Sequence, residues 1–152
     1  MDKRKKAIEL RKLSQQHAYT SIQLHEAVGR KAGLSGTDHK YLGFLLQKGS
    51  MTAGELAHIT GLTTGAVTGL IDRFEKKNLV KRQLDKDDRR KVVIVPDTAK
   101  ITALLMPLYK DFQSGTEALI ASFSGMEITI LETYFLKAIA LMNETMDAIN
   151  KE

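Results

Sequence analysis

The sequence contains no cysteine. That excludes disulfides, thiolate zinc sites and thiol-based redox sensing, and it fits a reducing cytoplasm. Proline is scarce, with two residues, and there is no low-complexity tract, which argues against a disordered linker or tail. No apolar run approaches the roughly eighteen residues that a membrane span needs. The basic start, Met1-Asp2-Lys3-Arg4-Lys5-Lys6, leads into an amphipathic pattern and lacks the apolar core of a signal peptide. No cysteine nucleophile, glycine-rich phosphate loop or close histidine–carboxylate motif stands out, so the chain reads as a non-enzyme with no cofactor. What remains is a chain of 152 residues, enough for one domain or a domain with an oligomerisation arm. Its net charge of +5 favours polyanions without identifying one.

The informative stretch runs from Thr52 to Val95. Thr52-Ala53-Gly54-Glu55 is a capping box, which satisfies orphan amides at a helix start. Gly61 supplies a left-handed stop and Thr63 the N-cap of a second helix. In that helix Val67, Leu70, Ile71 and Phe74 recur at the spacing of one buried face. The opposite face carries Thr64, Gly65, Thr68, Gly69, Asp72 and Arg73. Its first turns are short-chained, so they could enter a major groove, where hydroxyls meet bases or phosphates and threonine methyls meet thymine. A hairpin follows, Val80 to Leu84 against Lys91 to Val95, with the charged tip Asp85-Lys86-Asp87-Asp88-Arg89-Arg90. A charge run is commonly a solvated loop. Directly after a helix-turn-helix it reads as a wing, in which carboxylates hold a guanidinium extended toward a minor groove. The candidate DNA contacts are therefore Thr63, Thr64, Gly65, Thr68 and Arg73 for the major groove. Arg90 with Arg89 serves the minor groove, steadied by Asp88, and Lys81 or Arg82 holds the backbone.

Around this core lie helices. Residues from about Lys5 to Lys31 form a long, partly apolar helix carrying His17 and His25, for which packing is a stronger reading than metal ligation. A supporting helix begins near Ser35 as cap, with Asp38 in its first turn and Tyr41, Leu42, Leu45 and Leu46 as its buried side. After Pro96 a further helix starts at Asp97 or Thr98 and carries Pro107, which should kink it. Ser124-Gly125-Met126-Glu127 is a second capping box, opening a last helix to about Ile149. These long apolar helices exceed what a winged helix needs for its own core, so they imply an interface, and a two-fold dimer would set two recognition helices about 34 Å apart. The expected fold is mainly α with a small β-wing: a winged helix-turn-helix plus long N- and C-terminal dimerisation helices.

The order of these parts resembles the MarR family of bacterial transcription regulators, over nearly the whole chain. The resemblance rests on the helix from Ser35 to Gln47, on Glu55-Leu56-Ala57, on Ile71-Asp72-Arg73-Phe74-Glu75 and on Asn78-Leu79-Val80-Lys81-Arg82. Its most specific part is the wing, whose Asp-x-Arg signature falls on Asp88 and Arg90. The resemblance implies a homodimer on double-stranded DNA, with residues 1–32 as an N-terminal dimerisation helix, 33–96 as the DNA-binding lobe and 97–152 as C-terminal dimerisation helices. It further implies a cytoplasmic repressor of a palindromic operator, released by a small aromatic or phenolic ligand. His17, His39, Tyr41 and Met106 are residue types that could line a ligand pocket. One departure is visible: Val95-Pro96-Asp97-Thr98-Ala99-Lys100 replaces the family's usual Leu-Thr and glycine after the wing. The alternative is a winged helix used for protein contacts, with no operator of its own.

Overall fold

The computed structural model describes residues 1–35 and 37–151. Its elements are α1 (Lys3–Lys31), α2 (Asp38–Lys48), β1 (Met51–Thr52), α3 (Ala53–Thr60), α4 (Thr64–Lys76), β2 (Val80–Leu84), β3 (Val92–Pro96), α5 (Thr98–Ala121) and α6 (Gly125–Asn150). The fold is mainly α with one small antiparallel sheet, as the sequence leads one to expect. Two compact units are distinguished, Met1–Tyr109 and Lys110–Glu152.

In the first unit the local signals work as read. The Thr52 hydroxyl accepts the Glu55 amide at 3.1 Å, and the Glu55 carboxylate accepts the Thr52 amide at 3.2 Å. Gly61 closes α3 in the left-handed region at φ 70°, where a β-carbon would be strained. Thr63 caps α4 through the Ala66 amide at 3.2 Å. Val67, Leu70, Ile71 and Phe74 are all buried and pack with Leu42 and Leu45 of α2, Leu56 of α3, Ile94 of β3 and Ile101 of α5. Each such side chain contributes about 1.5–3 kcal/mol through burial, so this cluster fixes α4 against its scaffold. The wing register pairs Arg82 with Ile94 and Leu84 with Val92.

Three details depart from the sequence reading. A third strand, β1, pairs with β3 through Met51↔Ile94, giving the order β1-β3-β2. Leu46 is exposed rather than buried, because the α2 core face is already filled by Tyr41, Leu42 and Leu45. Ser35 does not cap an amide: its hydroxyl donates to Asp38 at 3.0 Å, and Thr37 stands at the N-cap without a side-chain bond.

Every residue of α1 from Lys3 to Thr20 is exposed, and its burial begins only near Val28 and Gly29. Asp97 stands just before α5, its carboxylate accepting the Lys100 amide at 3.1 Å, and the helix continues through Pro107. The second unit holds the end of α5 and all of α6, which opens with the Ser124–Glu127 capping box. Hydrogen bonds from the Ser124 backbone and side chain hold the Glu127 carboxyl below its ordinary range. None of the described residues of α6 is buried, and Ile130, Phe135, Leu136, Ile139 and Met142 stand more than half exposed. No single helix among the described residues is long and apolar enough to cross a membrane.

Candidate nucleic-acid interface

The candidate interface is assembled from α4 and the wing. Thr63, Thr64, Gly65 and Thr68 are all exposed at the start of α4. A β-carbon at Gly65 would meet nothing within 4 Å, so this end of the helix is open to close approach. The Thr68 hydroxyl donates to the Thr64 carbonyl at 3.0 Å and keeps its lone pairs for a further donor. This surface offers hydroxyls and short side chains, and no cation until Arg73.

Arg73 lies on α4 with these residues, but its guanidinium is turned to α2. Its Nε donates to Asp38 Oδ2 at 2.8 Å and its Nη2 to Asp38 Oδ1 at 3.0 Å, a two-pronged pair. Asp38 is buried, whereas the Arg73 side chain remains 51% exposed. The hydrogen bonds to Asp38 push the Arg73 guanidinium further above its ordinary range, so it stays charged. Arg73 thus ties the recognition helix to α2 through its own charge. Nothing local in the sequence points to this pair, because its members are far apart along the chain.

Arg82 is engaged in the same way. Its Nη2 donates to Asp72 Oδ1 at 2.6 Å, its Nη1 to Glu75 Oε1 at 2.8 Å, and its backbone amide to Glu75 Oε2 at 3.1 Å. The Asp72 bond is the leading reason why its guanidinium is held above the ordinary range. Strand β2 is thereby fastened to α4, which sets the angle at which the wing leaves the helix. Lys81, its neighbour, is exposed.

At the wing tip the backbone is held by its own aspartates. Asp85 Oδ1 accepts the Asp87 amide at 2.9 Å, and Asp88 Oδ1 accepts the Arg90 amide at 3.0 Å. Asx turns of this kind shape a loop without a core. Asp88 Oδ1 also accepts Arg90 Nε at 3.2 Å, while the Arg90 side chain is 92% exposed. Asp88 therefore orients Arg90 and leaves its terminal nitrogens outward. Arg89 is exposed beside it. Lys76, Lys77, Lys86 and Lys91 are also exposed, and together they could neutralise phosphates.

The residue types named as possible pocket walls stand in different surroundings. His17 is exposed on the outer part of α1, Tyr41 sits in the core beside Phe44, and Met106 is exposed on α5. His39 is half-buried, and it bonds instead to Tyr109, a residue that sequence reasoning did not single out. No cluster of metal ligands is found among the described residues.

A family model described as "MarR family" matches residues 34–92, which span α2 to the first residue of β3. The HTH-type transcriptional regulator YcgE of Bacillus subtilis is 37% identical over 86% of this chain and 84% of its own length. A MarR family protein from Bacillus stearothermophilus has a solved structure similar at a TM-score of 0.72, with 27% identity over 94% of this chain and 99% of that one. The MepR protein of S. aureus, solved as a DNA complex, shares the fold at a TM-score of 0.56 and 21% identity over 84% of this chain and 96% of that one.

Proposed function

The chain belongs to the MarR family of DNA-binding transcription regulators, and we propose that it acts as a homodimeric repressor of a palindromic operator. The supporting observation is the wing tip, where Asp88 holds an almost fully exposed Arg90 beside an open, hydroxyl-bearing helix start. Arg90 would enter the minor groove, with Arg89 on the flanking phosphate. Thr63, Thr64, Gly65 and Thr68 would face the major groove. Lys81 would hold the backbone. Arg73 and Arg82 would act chiefly by fixing α4 and the wing, and reach DNA only with the guanidinium edges their carboxylates leave free.

In this reading residues 1–32 and 97–152 supply the dimer helices around a DNA-binding lobe at 33–96. The exposed apolar surface of α6 supports it, since such surface on a long helix is covered in a working protein. Repression would take place in the cytoplasm, where a bacterial operator lies. Release by a small aromatic or phenolic ligand belongs to the same proposal and rests on the family resemblance.

The test is anisotropy titration of a labelled duplex enriched from a random pool. Arg90→Ala should weaken binding by about 1–3 kcal/mol, the worth of one good contact, while circular dichroism stays that of the parent. Unchanged affinity would remove the wing from the interface. A second reading is favoured by the ion pairs themselves: with Arg73 and Arg82 engaged by carboxylates, the charge of α4 is muted, as in a winged helix that binds protein. Salt separates the two, because phosphate contacts release counterions and make affinity fall steeply as salt rises.

A further inference from the structure

The exposed side of α4 holds few groups that can tell one base from another, and their hydrogen bonds narrow the choice further. Residues 63–72 carry no lysine, arginine, histidine, asparagine or glutamine. Asp72 is the one charged side chain in that stretch, and Arg82 donates to it at 2.6 Å. Arg73 lies about two and a half turns beyond Thr64, with its Nε and Nη2 on Asp38. Thr63, Thr64 and Thr68 are the exposed polar side chains that remain.

Their hydroxyls are not equally free. Thr63 Oγ1 accepts the Ala66 amide at the cap. The Thr68 hydroxyl has spent its single proton on the Thr64 carbonyl at 3.0 Å, so it can accept but cannot donate. Guanine shows two acceptors in the major groove, N7 and O6, and is commonly read by the paired donors of arginine or lysine. No such donor stands in this stretch. A guanine beneath it would give up water at both acceptors with too few donors in return, which costs binding. An amine of adenine or of cytosine could donate to the Thr68 lone pairs, so that contact does not separate A·T from G·C. The methyl group does. Thymine alone among the four bases carries a C5-methyl in this groove. Thr64 and Thr68, one turn apart on the exposed side of the helix, each offer a methyl to meet it. The wing favours the same composition. A narrow A-tract minor groove has an enhanced negative potential that draws arginine, and the Arg90 side chain is 92% exposed with its Nε on Asp88.

We propose that Thr64 and Thr68 are the specificity-determining residues of α4, and that they read thymine methyls in A·T-rich half-sites rather than guanine edges. This rests on the operator-binding reading above and names the bases that such an operator presents to the helix.

Uracil separates the two claims, because it differs from thymine only in lacking the C5-methyl. Its pairing and its minor-groove edge are those of thymine, so contacts of the wing are untouched. Duplexes are enriched from a random pool by the full-length protein, and thymines of one half-site are then replaced by deoxyuridine one at a time. Affinity, read by anisotropy, should fall about fourfold at a thymine under Thr64 or Thr68, the worth of one buried carbon group, and hold at the others. Thr68→Ser keeps the hydroxyl and removes the methyl, so one of these losses should vanish in it, and Thr64→Ser should abolish the other. Thr68→Val keeps a methyl and should retain its loss. Both residues are exposed, so the variants should keep the circular dichroism of the parent. An enriched duplex whose affinity ignores uracil at every position overturns the methyl reading and leaves operator binding standing. Uracil losses that persist undiminished in both serine variants overturn the assignment to these threonines. Failure to enrich any duplex overturns the operator-binding reading, and this proposal with it.

Discussion

Asp38 is buried, and its oxygens take the Arg73 fork and the Ser35 hydroxyl. The two ends of this pair are not equivalent. Removing Arg73 leaves a buried carboxylate with only the Ser35 donor, whereas removing Asp38 leaves a half-exposed guanidinium that water can reach. Arg73→Ala should therefore cost about 1–3 kcal/mol in urea unfolding, and Asp38→Ala less, because solvent screens the exposed partner. Equal costs, or the reverse order, would contradict the asymmetry. A sequence displays both residues but not their pairing. Asp38 reads locally as a helix-start acid and Arg73 as a surface cation on a DNA-facing helix, and only the tertiary crossing of α2 and α4 joins them. Arg82 is a parallel case, since its partners Asp72 and Glu75 lie on the preceding helix. Asp88 and Arg90 were legible because their contact is made within the turn itself.

Elements whose ends are set by nearby residues could be read directly: the Thr52–Glu55 and Ser124–Glu127 boxes, the Gly61 stop and the Thr63 cap all work within a few residues. Strand β1 could not, because two residues carry no periodicity and its identity comes from pairing with distant β3. The crossing of α1 over α2 was equally hidden, and it makes a sharp prediction. Gly29→Ala gains helix propensity of about 1 kcal/mol, yet its β-carbon would sit 2.8 Å from that of His39, against a rigid part of the side chain. Overpacking costs about 1–3 kcal/mol, so the substitution should destabilise the fold in urea and disturb the His39 ring resonance; a more stable variant with an unmoved ring would contradict the close crossing. The same site gives a pH dependence. The folded state lowers the His39 pKa, so it binds fewer protons than the unfolded state near the ordinary histidine value. The associated stability is fully present above that value and is lost as pH falls through it toward the lowered one. Urea midpoints should thus decline on mild acidification, and His39→Gln should flatten that decline.

At the scale of the molecule, the decisive feature is apolar surface with no cover. Leu136, Ile139 and Met142 of α6, and Leu10, Leu13 and Ile22 of α1, are each more than half exposed. If a second copy covers the α6 surface, sedimentation should give a dimer, and Ile139→Glu should shift it toward monomer with loss of stability; a parent protein that sediments as a monomer would contradict the dimer. The membership in a DNA-binding family was readable from the order of parts, whereas ligand and target leave no trace in residue type. The central claim is that two copies present α4 and the Arg90 wing to one duplex. It is tested most directly by incubating the protein with random duplexes at moderate salt, then recovering and sequencing those that stay bound. An enriched inverted repeat is expected, with half-sites about 10 base pairs apart, the spacing of successive major grooves on one face. Recovery of unenriched duplexes, bound weakly and released by modest salt, would contradict it and move the protein-contact reading to the front.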